Sequence, residues 1–397
     1  MVKSFLLLFF KKEALAWFPL FLAGCAVQPV GPVSLSKIEF SALPGWGADH
    51  PSQAMPALLA SCARLDALPA DQSVGGSGDA AARGGQAGQW RPACHDASQV
   101  PAGDDAAARA FIEHDLVPWR ISQGDSSQAL FTGYFEPEVS GSRVRSAADQ
   151  TPLYARPADL VQADLGDFKP DLTGTRIAGR VEDGRLRPYF DRAQIVGGAL
   201  SRRRLEIAWL ADPVDAFFLQ IQGAGRIRLA DGRIMRVGYA GQNGRPYVAI
   251  GKLLADRGEL PLDGISMQSI RAWLAAHPAD AAGVMDGNPS YVFFHELPGL
   301  RADDGPPGAL GVSLVPGRSV AIDRAFVPLG APIWVDTTDP LDGGAFQRLM
   351  SAQDIGGAIK GPLRADIFYG WGADAEARAG KARQAGEMFV LLPAGGA

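Results

Sequence analysis

From Tyr291 onward the chain is a succession of short apolar runs cut by Gly and Pro, and this constrains its fold more than any other feature. The candidate strands are Val292-Phe293-Phe294, Gly311 to Val315, Ser319 to Asp323, Pro332 to Val335, Gln347 to Gln353, Ala365 to Tyr369 and Glu387 to Leu392. Pro316-Gly317 and Leu329-Gly330 read as turns, and one helix is expected around Asp374 to Gln384. Short strands at this density predict a small closed barrel. The whole chain shares the tendency: 48 Gly and 29 Pro favour short strands and tight turns over long helices.

Upstream the pattern is more mixed. Asp104 to Trp119 carries Ala107, Phe111 and Leu116 at helical spacing. Gln128 to Val139 reads as a strand reaching a Pro-bearing turn, and Pro170 to Tyr189 as polar and turn-rich. Arg226 to Val237 alternates around Asp231-Gly232, which signals a hairpin. Tyr247 to Leu260 and Met267 to Ala282 are expected helices, the second stopped by Gly287-Asn288-Pro289. Residues 73–89 are rich in Gly and Ala, but no Gly-Lys-Ser/Thr follows, so a flexible surface loop is expected rather than a phosphate loop.

The amino terminus reads as an export signal over residues 1–24, apolar on both sides of Lys11-Lys12-Glu13. That charged break is unusual for such a signal and leaves open a start downstream of Met1; it also disfavours a spanning helix. Leu22-Ala23-Gly24-Cys25 resembles a bacterial lipoprotein box, with Cys25 as the lipidated residue. Residues 25–45 then read as a Pro-, Val- and Ser-rich tether. In an oxidising compartment the two remaining cysteines, Cys62 and Cys94, are candidates for one disulfide or stay as two free thiols.

Composition narrows the function classes. With 47% apolar residues among 397, the chain can build a real core in two or three domains. Thirty-eight basic against 43 acidic side chains give a net charge of −5 and no basic stripe, which argues against a nucleic-acid partner. No HExxH or CxxC spacing calls for zinc, and no metal or organic cofactor is expected. There is no Gly-x-Ser-x-Gly elbow for a serine nucleophile.

Acids in the C-terminal β region remain: Asp323, Asp336, Asp354 and Asp366. Asp354 precedes Gly356 and Gly357, which would let the backbone approach a ligand or another strand closely. Asp366 lies among apolar and aromatic neighbours, where desolvation would hold a carboxyl protonated as a general acid. Tyr369 and Trp371 offer faces that could stack on sugars or simply pack. Taken singly, an Asp at a strand end is most often a turn or cap residue.

Taken together, an ordered set of motifs is more specific. Phe131-Thr-Gly-Tyr-Phe135-Glu-Pro, Gln220-Ile-Gln-Gly-Ala-Gly225, Tyr239-Ala-Gly-Gln-Asn-Gly244, Asn288 to Phe294, Asp354-Ile-Gly-Gly-Ala-Ile-Lys-Gly361 and Ala365-Asp-Ile-Phe368 follow one another. From about Leu130 onward the chain resembles the membrane-bound lytic murein transglycosylase A family. The resemblance implies a mainly β fold with some helix: a double-psi β-barrel domain from residues 46–137 and 286–397, a second β-rich domain inserted over 138–285, and a substrate groove between them. It implies Asp366 as catalytic acid with Asp354 beside it. The family's His-Phe before the acid is Arg364-Ala365 here. Thr132, Gly133, Tyr134, Gln222, Tyr239, Gly241, Asp323, Gly356 and Gly357 would line the groove.

The implied reaction is non-hydrolytic cleavage of the β-1,4 bond between N-acetylmuramic acid and N-acetylglucosamine. The implied partners are peptidoglycan glycan strands and, through Cys25, the outer membrane. Two other readings fit the same residues: a hydrolase with Asp366 as acid and Asp354 as base, and a non-catalytic wall-binding lipoprotein.

Overall fold

The computed structural model describes residues 31–172 and 175–395. The expected signal segment, Cys25 and the first residues of the expected tether lie outside the described residues.

The described chain opens with β1 (Val33–Lys37), which pairs antiparallel with β2 (Leu116–Gln123). The tether reading therefore fails for these residues. Their alternation, with Leu35 packing on the core, is a strand pattern inside a Ser- and Pro-rich composition. Between β1 and β2 lie α1 (Met55–Asp66), α2 (Gly78–Gly84), α3 (Arg91–Ala97) and α4 (Asp105–Asp115). A disulfide joins Cys62 of α1 to Cys94 of α3. The expected loop over 73–89 instead contains α2, with Val74, Ala80 and Ala87 buried. Its small residues serve close packing: a Cβ on Gly84 would lie 2.8 Å from the Trp90 ring. The Asp104–Trp119 helix ends earlier than expected, and Leu116 already belongs to β2.

After β3 (Ala129–Glu136) the chain leaves the first sheet. It runs through β4 (Glu138–Ser142), β5 (Thr151–Tyr154), β6 (Val161–Asp164), β7 (Arg176–Glu182), β8 (Arg185–Pro188), the short α5 (Arg192–Gln194), β9 (Glu206–Leu210), α6 (Pro213–Gln222), β10 (Ala224–Arg228) and β11 (Ile234–Gln242). Next come α7 (Ile250–Asp256), α8 (Met267–Ala276), α9 (Pro278–Asp286) and β12 (Val292–Glu296). Six of these strands form a sheet in the order β12-β11-β10-β4-β9-β5. A bridge between Ala155 and Phe294 brings its two edges together. Val139, Leu153, Leu210, Ile227, Val237 and Phe294 form part of its core.

Local chemistry explains several elements here. Asp212 caps α6 by accepting from the Val214 amide, Pro213 starts the helix, and Gly223 at φ 79 ends it. The single helix expected over 267–282 is two, because Pro278 lacks the amide that would continue α8. The segment expected to be polar and turn-rich, 170–189, also holds β7 and β8, joined by Asp183-Gly184 with both φ angles positive. Arg-rich strands with exposed faces do not show an alternating apolar signal.

The last third returns to the first sheet with β13 (Ser319–Ile322), β14 (Pro332–Thr338), β15 (Ala345–Ile355), β16 (Arg364–Trp371), α10 (Gly372–Lys381) and β17 (Arg383–Pro393). The pairings β17–β14–β15–β13–β16–β3 close on themselves through β3–β17. The result is a six-stranded double-psi barrel in which β13–β15 and β16–β3 are parallel. The strand expected at Gly311–Val315 is absent. That stretch folds back on itself, with Gly308 N donating to Val312 O and Leu314 N to Pro306 O.

Candidate active site

Strand register lays out the site. Ala321 of β13 pairs with Asp354 of β15 on one side and Asp366 of β16 on the other, and Asp366 pairs with Thr132 of β3. Asp354, Ala321, Asp366 and Thr132 thus form a row across four strands on one face. Their neighbours Val320, Ile322, Ala365 and Ile367 turn to the opposite face, into the largest hydrophobic cluster. The methyl of Ala321 is all that stands between the two carboxylates in this row.

Hydrogen bonds fix both acids. Thr132 Oγ1 donates to Asp366 Oδ1 at 2.7 Å. Arg364 Nη1 donates to Leu130 O, and its Nη2 lies 3.4 Å from Thr132 Oγ1. The Tyr134 hydroxyl donates to Asp354 Oδ2 at 2.8 Å. Asp354 Oδ1 accepts from the amides of Ala309 and Ile355, both at 2.9 Å.

The two carboxyls are both half-buried and both shifted upward. Burial pushes Asp366 up to about 6; the Thr132 hydroxyl and the Arg364 charge pull down, and the nearby Asp354 pushes up. Burial also raises Asp354, against the Tyr134, Ile355 and Ala309 donors. Asp366, with one hydrogen-bond partner, can give and take a proton near neutrality. Asp354, with three donors on its two oxygens, is a fixed acceptor.

The other expected residues are placed variously. Gln222, at the C-terminal end of α6, accepts the Phe135 amide through Oε1 and so reaches from the inserted region to β3 beside the acids. Its neighbour across the site is Tyr247, a residue not singled out from sequence, whose ring is partly exposed. The two line a cavity of about 250 Å³ with Ile221, Ile265, Met267 and Ala379. Tyr239 is exposed on β11, and a Cβ on Gly241 would touch the Arg156 side chain. Gly357 is open to solvent, whereas Gly356 packs on Ile359.

Two expectations are corrected. Gly133 shows close packing instead of an open wall, since a Cβ there would lie 2.4 Å from the Tyr369 ring. Asp323 does not join the acid pair: its carboxylate accepts the amides of Ala325 and Gly361, a turn and loop role. Of the two readings of Trp371, packing holds on one face, where Arg226 lies over its ring at 4.2 Å.

That arginine belongs to a network that sequence gave no sign of. Glu136, fully buried at the end of β3, accepts from Arg226 and Arg236 at 2.8–2.9 Å. The two arginines also donate to the carbonyls of Arg301, Ala302 and Asp304. The network ties β10 and β11 to the end of the barrel strand that carries Thr132 and Tyr134.

Comparison with known proteins is consistent with this layout. The MltA specific insert domain family matches residues 130–295, and the 3D domain family matches residues 318–392. A membrane-bound lytic murein transglycosylase A of Escherichia coli is 34% identical over 303 residues, covering 74% of this chain and 73% of the relative. The chain belongs to the membrane-bound lytic murein transglycosylase A family. A Vibrio cholerae member is 30% identical over 300 residues, covering 74% of this chain and 72% of the relative. Among solved structures, a membrane-bound lytic murein transglycosylase from Agrobacterium tumefaciens matches with a TM-score of 0.80 and 38% identity, over 91% of this chain and 98% of that one. The family member from E. coli with bound chitohexaose matches with a TM-score of 0.66 and 28% identity, over 91% of this chain and 95% of that one. No helix among the described residues is long and apolar enough to cross a membrane.

Proposed function

We propose that this chain is a peptidoglycan lytic transglycosylase that cleaves the β-1,4 bond between N-acetylmuramic acid and N-acetylglucosamine, leaving 1,6-anhydromuramoyl ends. Asp366 is the acid and then the base. Protonated, it gives its proton to the glycosidic oxygen as the bond to the muramoyl C1 breaks. An oxocarbenium-like sugar results. The carboxylate then takes the proton of the C6 hydroxyl as that oxygen bonds to C1, closing the anhydro ring and restoring the acid. Thr132 aims the carboxyl. Asp354 adds negative charge that disfavours early ionisation of Asp366 and steadies the cationic sugar. The glycan strand lies along the face carrying Thr132 and Tyr134, between the barrel and Gln222, Tyr239 and Gly241 of the insert.

The observation that carries this reading is the asymmetry of the two acids. Asp366 is held near neutrality with one donor, while Asp354 has three donors and little capacity left to activate a water. That suits one-residue transglycosylation, in which a single carboxyl gives and then takes back a proton. Cys25 is the proposed lipid anchor, placing the enzyme on the periplasmic side of the outer membrane. Digestion of purified sacculi followed by mass spectrometry tests the chemistry. Anhydro ends, one water lighter than reducing ends, are expected; reducing ends would instead establish a hydrolase, and no soluble muropeptides a binding protein.

A further inference from the structure

The placement of Asp354 is not what an unbroken strand would give. Ala352 pairs with Val320 and faces the hydrophobic cluster. Two residues later, strict alternation would point Asp354 the same way. Instead the register jumps: Ala321 pairs with Asp354, and Gln353 is an extra residue on β15. Such a bulge re-aims the side chain that follows it and is rare between parallel strands.

Gln353 is fully buried and its amide is engaged on every side. Nε2 donates to Ala57 O at 2.7 Å and to Ser61 Oγ at 2.9 Å, both on α1. Oε1 accepts from Ser319 Oγ on β13, which itself accepts the Val315 amide. The Gln353 carbonyl accepts from Leu310 N, next to the Ala309 amide that binds Asp354. A helix outside the barrel thereby reaches the strand at the one residue where its register breaks.

We infer that Gln353 is a positioning residue of the active site, pinning through α1 the bulge that turns Asp354 onto the face of Asp366. The inference rests on the proposed role of Asp366. The charged and titratable groups facing Asp366 are Arg364 and Tyr369 on β16, Tyr134 on β3, Tyr247 from the insert and Asp354. Only Asp354 depends on the bulge for its direction.

The test compares Gln353→Leu, Ser61→Ala and Asp354→Asn with the parent on soluble peptidoglycan fragments, each shown folded by circular dichroism. Ser61→Ala removes one acceptor of Nε2 and keeps the test alive should Gln353→Leu not fold. The expected result for Gln353→Leu is a kcat lower by about tenfold to a hundredfold, the upper figure being the scale of an ångström's misplacement, with KM little changed. Its alkaline limb of the pH–rate profile should move to lower pH, the same shift expected of Asp354→Asn, because either change weakens the push of Asp354 on Asp366. Adding Gln353→Leu to Asp354→Asn should then cost little more. Ser61→Ala should give the same changes in smaller measure. A lower melting temperature with the parental kcat and alkaline limb in the folded variants would overturn the inference. Failure of the reading of function shows differently, as parental enzyme releasing reducing-end sugars.

Discussion

Asp354 and Asp366 face each other across a single residue, Ala321, on the two strands that flank β13. The pair is therefore as rigid as the barrel. Separation is set by strand spacing, two steps of about 4.8 Å. Burial is the largest cause of the upward shift of each acid.

Asp366→Asn should abolish turnover and still stabilise the protein at neutral pH. An acid whose folded pKa is raised, here to about 6, costs stability as pH rises through the interval between its unfolded and folded values. The asparagine form escapes that cost. The gain should be at most about 2–3 kcal/mol at pH 7 and vanish below about pH 3, under the unfolded value of 3.8, where both states of the parent are protonated. Urea unfolding at the two pH values checks it.

Thr132→Val removes the donor that favours the ionised form of Asp366. Its alkaline limb of kcat/KM should move to higher pH, opposite to Asp354→Asn. The lost aim should lower kcat about tenfold. A pH–rate series on both variants reads the two opposing shifts.

Glu136→Gln should be costly away from the chemistry. It leaves Arg226 and Arg236 buried without their shared carboxylate. Removing one partner of such a pair costs about 3–5 kcal/mol. Denaturant unfolding should show the loss.

Cys94→Ser opens a cross-link between residues 32 apart in the chain. By chain entropy that amounts to roughly 3–4 kcal/mol. Thermal melting of the variant against the parent, without reductant, measures it.

Much of the barrel was legible because its strands carry local signals. Ser319, Pro332, Gln347, Ala365 and Glu387 each begin an apolar run bounded by Gly or Pro, and all five runs lie in real strands. Asp231-Gly232 marked its hairpin for the same reason. What closes the ring was not local: β3 pairs with β16 and β17, residues more than 200 positions away. No pattern within β3 announces that partner; only the resemblance of its Phe131–Pro137 motif did. At the site, Asp366 and Asp354 stood out by their neighbours. Gln353 did not, because a bulge depends on a register between strands that a sequence does not display. Glu136, Arg226 and Arg236 were equally silent, being three ordinary charges until the fold buries them together.

One backbone passes from the first barrel to the second with little slack. The strand holding Thr132 and Tyr134 ends at Glu136, turns at Pro137 and becomes β4 at Glu138. The segment that aims Asp366 is thus also the covalent joint between the two sheets, with a single residue, Pro137, between them.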